Sequence, residues 1–172
     1  STTPQLSSLA ALPALGKPAS TESHDRLRLT RFLLKKYTAS VQDLTIYLKE
    51  EPKGKYAKEA TFYIARCNLE TAEYDASGES FATLAEGEGP IAARSSLWHA
   101  RVFTRSQKDY DKASSILSQA LERFADSEIV TDIRYDLANS LMGKKIPEWQ
   151  SALALLNEVE KDEDFNQSAE LL

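Results

Sequence analysis

At 172 residues, 42% of them hydrophobic and 27% charged, the chain is long enough for one sizeable core or one short repeat array. Its net charge of -5 argues against nonspecific nucleic-acid binding, which needs a basic footprint to displace counterions from phosphates. With Cys67 as the only cysteine there is no intramolecular disulfide and no multi-cysteine metal site, and no apolar run approaches the roughly 18 residues of a membrane span.

Residues 1–23 are rich in Ser, Thr, Ala and Pro, with prolines at 4, 13 and 18, and read as an N-terminal segment apart from the helical remainder at 24–172. Leu6, Leu9, Leu12 and Leu15 recur every third residue, which a purely solvated tether does not require. The segment is expected either to dock in an apolar groove, its own or a neighbour's, so that residues 1–20 could mediate self-association, or to cap the first hairpin. The chain starts at Ser1 rather than Met, as a processed or trimmed end would.

From His24 onward apolar residues fall at helical spacing in pairs of short segments separated by polar turns. The first pair is expected near 25–36 and 39–50 and ends at Pro52 and Gly54; the second is expected near 56–71 and 75–86 and ends at the Glu-Gly-Glu-Gly-Pro run 86–90. Gly78 lies inside that fourth helix and weakens it by about 1 kcal/mol relative to alanine. The clearest pair, near 91–105 and 110–124, joins Leu97, Trp98, Val102 and Phe103 to Ile116, Leu117, Ala120 and Leu121 across a polar break. The last, near 128–142 and 148–160, sets Ile133, Leu137, Ala138 and Leu141 against Trp149, Ala152, Leu155, Leu156 and Val159, with Pro147 expected in the first turn of its second helix. No strand is expected. A helical hairpin of this size cannot bury its apolar faces alone, so the pairs must stack.

Overlaying the pairs gives a period. Thr30, Ala65, Ala100 and Ala138 are equivalent small residues of the first helices, at separations of 35, 35 and 38; Ser40, Ser77, Ala113 and Ala152 are equivalent in the second, at 37, 36 and 39. Large apolar residues recur four later, at Leu44, Phe81, Leu117 and Leu156, and an aromatic three earlier, at Tyr37, Tyr74, Tyr110 and Trp149. At these residues the chain resembles the tetratricopeptide repeat (TPR) family, whose unit is about 34 residues of helix, turn and helix. The resemblance covers roughly residues 25–165 and implies an all-α fold, a right-handed α-solenoid of about four TPR-like hairpins. The repeats are degenerate: the family's glycine is Thr or Ala here, its tryptophan is missing, and the consensus proline is met only at Pro52 and loosely at Pro90. In this they resemble helical adaptors of bacterial envelope proteins, which favours the periplasm or a membrane-tethered position over the cytoplasm.

Catalytic chemistry finds no support. His24 and His99 have no Cys or His at ligand spacing, Cys67 sits mid-helix as a small buried hydrophobe would, and Ser77-Gly78-Glu79-Ser80 follows no strand and lacks the second glycine of a nucleophile elbow. The chain is therefore not expected to be an enzyme, and no cofactor or metal is expected.

One pattern rises above this background. Arg31, Arg66 and Arg101 are each 35 apart, directly after the small residue of three successive first helices. In the family this position lines the concave groove, so the resemblance implies a partner-binding wall of Arg31, Phe62, Arg66, Leu69, Leu97, Arg101 and Arg105, continued by Tyr135 and Asn139 in the last hairpin, with Leu27, Leu34, Thr104 and Met142 beside them. Guanidinium groups flanked by apolar side chains suit an acidic-hydrophobic peptide. The plainer alternative pairs each arginine with an acid on its own helix, such as Glu59 or Glu70. The expected function is a scaffold or adaptor that binds a protein or peptide in its groove; the alternative is a non-catalytic interaction module of a larger enzyme, transporter or envelope assembly machine. No nucleic-acid partner and no direct membrane insertion are expected of this segment.

Overall fold

The computed structural model describes residues 37–165, and every regular element among them is an α-helix. In chain order these are α1 (Tyr37–Glu50), α2 (Ala57–Glu70), α3 (Tyr74–Ala85), α4 (Gly89–Ser106), α5 (Tyr110–Arg123), α6 (Val130–Gly143) and α7 (Trp149–Glu160). Seven expected helices are thus found, with ends within two residues of those read from periodicity. The helix expected near 25–36, the N-terminal segment and Arg31 lie outside the described residues.

Local chemistry explains the helix ends. Asp109 caps α5 by accepting a hydrogen bond from the Lys112 backbone N–H at 2.9 Å, and Pro90 opens α4, where its missing N–H would have had no helical partner. At the end of α2, Ala72 takes a left-handed φ of 62° and the N–H groups of Ala72 and Glu73 donate back to the carbonyls of Leu69 and Asn68. This closes the helix on a Schellman turn. Pro147 does not enter α7 as expected. It precedes the N-cap residue Glu148, whose N–H donates to Leu141 O at 3.1 Å and so ties the turn to the end of α6.

Among the described residues the backbone divides into two compact units, which part between Glu73 and Tyr74. In the first, α1 packs on α2 through buried Leu44, Tyr47 and Ala60, with Leu48, Tyr56, Tyr63 and Ile64 around them. The Tyr47 hydroxyl accepts from Tyr56 N–H at 3.2 Å, a tie that needs the close approach of Gly54, where any Cβ would lie 2.5 Å from that oxygen.

In the second unit α3, α4, α5, α6 and α7 pack in sequence order, with α4 also reaching α6. Its largest cluster joins Leu97 and Ala100 of α4, Ala113, Leu117 and Ala120 of α5, Ile133, Leu137, Ala138 and Leu141 of α6 and Ala152 of α7. The repeat register is visible in burial. Ala65, Ala100 and Ala138, then Ser40, Ser77, Ala113 and Ala152, are all buried, as small residues at helix crossings should be, and Leu44, Phe81 and Leu117 are buried four residues later. The aromatics Tyr37, Tyr74, Tyr110 and Trp149 are the first residues of α1, α3, α5 and α7. The last rung departs from the pattern: Leu156 is only partly buried, and Trp149, expected to face α6, is 62% exposed. Among the described residues no further helix follows α7 to cover that side.

Candidate functional site

Three of the residues assigned to the groove come together in the second unit. Arg101 and Arg105 of α4 and Asn139 of α6 line one cleft of about 270 Å³, with Thr104, Tyr110, Asp136 and Ser140 completing its wall. Arg101 and Arg105 are four apart and thus on one face of α4, while Asp136, Asn139 and Ser140 make the same kind of row on α6. Tyr110, at the start of α5, closes one end.

Arg101 is the centre of this arrangement. Its Nε donates to Asp136 Oδ2 at 2.6 Å and its Nη2 to Asp136 Oδ1 at 3.2 Å, a two-pronged pair whose side chains are 12% and 16% exposed. Its guanidinium carbon lies 4.6 Å from the centre of the buried Trp98 ring, and that of Arg105 lies 5.4 Å from the same ring. Trp98 therefore forms a floor over which two cations sit. Arg101 Nη1 is buried and makes no hydrogen bond. Burial pushes the Asp132 carboxyl above its usual range, the Arg101 charge opposes that shift, and the like charges of Asp136 and Asp162 add to it.

The remaining assigned residues lie elsewhere. Leu97 is 0% exposed and belongs to the core of the second unit, and Phe62 and Leu69 of α2 are buried as well. Arg66, half-buried on α2, acts on Cys67: burial pushes that thiol up to about 12, and the Arg66 charge opposes the rise. Such a thiol is not a nucleophile at neutral pH. Tyr135 turns to Phe165, ring centres 5.4 Å apart at 50°. Asp136 was not among the assigned residues; it lies three residues before Asn139, the equivalent of Arg101 in the next hairpin, and so on the same face of α6. For Arg101, the partner is neither a ligand nor an acid of its own helix. It is a carboxylate on the first helix of the next hairpin.

Two larger hollows lie outside this cleft. One, of about 690 Å³, is lined by Arg94, Arg123, Asp126, Glu128 and Asp132 among others, and its Arg123 donates to Ala85 O at 2.8 Å and Gly87 O at 2.9 Å and so terminates α3. The other, of about 560 Å³ between α3 and α4, holds His99, Tyr74 and Phe103. His99 is shifted down from its ordinary value, first by burial and then by the Lys112 charge. Ser77, Gly78, Glu79 and Ser80 lie within α3, so they make no strand-to-helix elbow. Among the described residues no group of His, Cys, Asp or Glu could hold a metal ion, and no helix is long and apolar enough to cross a membrane.

No protein-family model matches the chain, and no curated protein sequence does. Solved structures do. The nearly identical TPR-like repeats of a kinesin light chain-type protein from Podosopora anserina superpose with a TM-score of 0.66 at 15% identity, covering 92% of this chain and 82% of that one. A second crystal structure of those repeats gives 0.64 at the same identity and coverage. A thermophilic TPR protein of Thermus thermophilus aligns over 83% of this chain and 91% of its own at 19% identity, with a TM-score of only 0.44. The chain thus has the fold of TPR-like helical repeats, an all-α solenoid fold.

Proposed function

We propose that the chain is a non-catalytic scaffold or adaptor that holds an extended segment of a partner protein in the cleft between α4 and α6. The observation that carries this reading is the convergence of Arg105, Asn139, Thr104 and Tyr110 on one hollow. These groups offer a cation, an amide, a hydroxyl and an aromatic face within one short stretch of surface, the mixture that reads an extended peptide. Asp136 already neutralises Arg101, and Arg105 stands four residues further along the same face of α4. The partner segment would bring a carboxylate to Arg105 and an apolar or flat group to Tyr110. This is the acidic-hydrophobic character expected from the arginine ladder.

A photo-crosslinking residue placed at Asn139 tests this, with Gln119 on the exposed side of α5 as its control. A discrete protein adduct at position 139, absent at 119 and abolished by Arg105→Glu, is the expected result. Equal labelling at both positions, or labelling at 139 indifferent to Arg105→Glu, would overturn the reading.

A further inference from the structure

The outer side of α7 carries a second surface. Of the four large hydrophobic side chains that are exposed among the described residues, three stand together in sequence: Ile146 at 82%, Trp149 at 62% and Leu153 at 60%. Trp149 and Leu153 are four apart on one stripe of α7, and partly buried Leu156 extends it; Ile146 stands in the turn just before. The opposite edge of the same helix, Ala152 and Val159, is buried. The apolar face of α7 is therefore wider than the part of it that α6 covers.

The preceding hairpin shows what such a stripe accepts. Tyr110 in α5 is the equivalent of Trp149, Ser114 of Leu153 and Leu117 of Leu156. There the next helix, α6, lies against the row: Gly143 brings its backbone onto the Tyr110 ring, and Ser114 and Leu117 are buried. The stripe on α7 has the same geometry for receiving a helix. It differs in chemistry, since a Trp and a Leu replace a Tyr and a Ser. Charge decides which helix suits it. Lys144, held by Glu148 at 2.6 Å with Asp111 at 3.8 Å, and the exposed Lys145 stand in the turn just before α7, whereas Glu158, Glu160, Asp162, Glu163 and Asp164 crowd its C-terminal end and outnumber the cations beside them, Lys161 and Arg134. An antiparallel copy of α7 centred near Leu153 would place each exposed Lys145 beside the acidic end of its mate, and would cover both Trp149 rings at once.

We propose that the chain forms a two-fold dimer in which the α7 stripes of two copies, Trp149 and Leu153 with Ile146 at the margin, pack antiparallel. This surface is separate from the cleft of Arg105 and Asn139, so the dimer presents two such clefts.

Sedimentation equilibrium of the 172-residue chain, with Trp149 fluorescence quenching by iodide, tests it. A mass of twice 19.2 kDa and shielded Trp149 are expected, Trp98 being buried in any case. Leu153→Glu, at an exposed position that leaves the helical circular dichroism unchanged, should raise the dimer dissociation constant by at least about tenfold. Lys145→Glu should weaken the dimer as well, and Lys145→Glu combined with Glu160→Lys should restore it. A monomer at several hundred micromolar with quenchable Trp149 overturns the proposal. So does a monomer with shielded Trp149, because the chain itself would then cover the stripe, and so does a dimer indifferent to Leu153→Glu.

Discussion

Arg101 of α4 and Asp136 of α6 meet at 2.6 Å across 35 residues of sequence and lock the first helices of two successive hairpins together. Both side chains are mostly withdrawn from water, so each ion depends on the other. Removing one leaves the remaining charge poorly solvated. Arg101→Gln should lower the unfolding free energy by about 1 to 3 kcal/mol, and Asp136→Asn should cost a similar amount. The double variant should lose less than the sum of the two, which a double-mutant cycle by urea unfolding would measure. Arg105→Gln, on an exposed side chain, should leave stability nearly unchanged. Additive losses from Arg101→Gln and Asp136→Asn would show that the pair contributes no coupling.

Two glycines in the second unit predict opposite outcomes for the same substitution. A Cβ at Gly143 would lie 2.7 Å from the Cδ1 and Cε1 atoms of the Tyr110 ring, closer than such atoms approach, so the ring or α6 must shift. Gly143→Ala should therefore cost about 1 to 3 kcal/mol by overpacking. At Gly78, inside α3, the added methyl would meet only Val102 Cγ1 at 3.6 Å, an ordinary contact. Gly78→Ala should instead stabilise by about 1 kcal/mol through helix propensity. Thermal melts of the two variants should move in opposite directions, and a shared direction would mean that one of these two packings is misread.

The turn between α4 and α5 holds a non-glycine residue in the left-handed region, Lys108 at φ 52°. A Cβ in this conformation crowds the following carbonyl, whereas glycine does not. Its side chain is exposed, so little packing is lost with it. Lys108→Gly should stabilise by about 0.5 to 1 kcal/mol, the relief of strain outweighing glycine's entropic cost. Lys108→Ala is the control and should change nothing. A destabilised Lys108→Gly in chemical denaturation would show that the lysine side chain itself holds the turn.

How much of this was legible beforehand differs between fold and site, for a physical reason. Periodicity and turn chemistry report on short-range geometry, and they located seven helices, the small residues at crossings such as Ala65 and Ala113, and the aromatics that begin each second helix. Side-chain partners are a long-range matter. Leu97 is four residues before Arg101, a rotation of about 40° around the helix, which suffices to take it from the groove wall into the core. Phe62 stands in the same relation to Arg66 and is likewise buried. Trp149 was assigned to the interface with α6 because an apolar pattern marks a face without saying what covers it. The Arg101 partner is not at helical spacing, because stacked hairpins bring together residues about 35 apart in sequence.

His99 supplies the last prediction, a dependence of stability on pH. It lines the hollow between α3 and α4 with Asp75, Glu79 and Phe103, its ring centre is 5.4 Å from that of Phe103, and Lys112 of α5 adds a positive charge nearby. Burial and that lysine hold its pKa below the ordinary 6.5, so the folded chain binds a proton on His99 less readily than the unfolded chain does. Above the unfolded value both states are neutral there and the residue contributes no pH dependence. As the pH falls through 6.5 the unfolded state is protonated first, and the folded state loses stability until the pH passes below the depressed folded value. His99→Gln keeps a polar group of similar reach and cannot take up the proton. The unfolding free energy of the original chain should therefore drop more steeply between about pH 7 and pH 5 than that of His99→Gln, the carboxylates contributing equally to both. Urea titrations across that range would measure the difference. Parallel curves would mean that His99 titrates alike in the folded and unfolded chain, and that the hollow around it is wetter than its burial indicates.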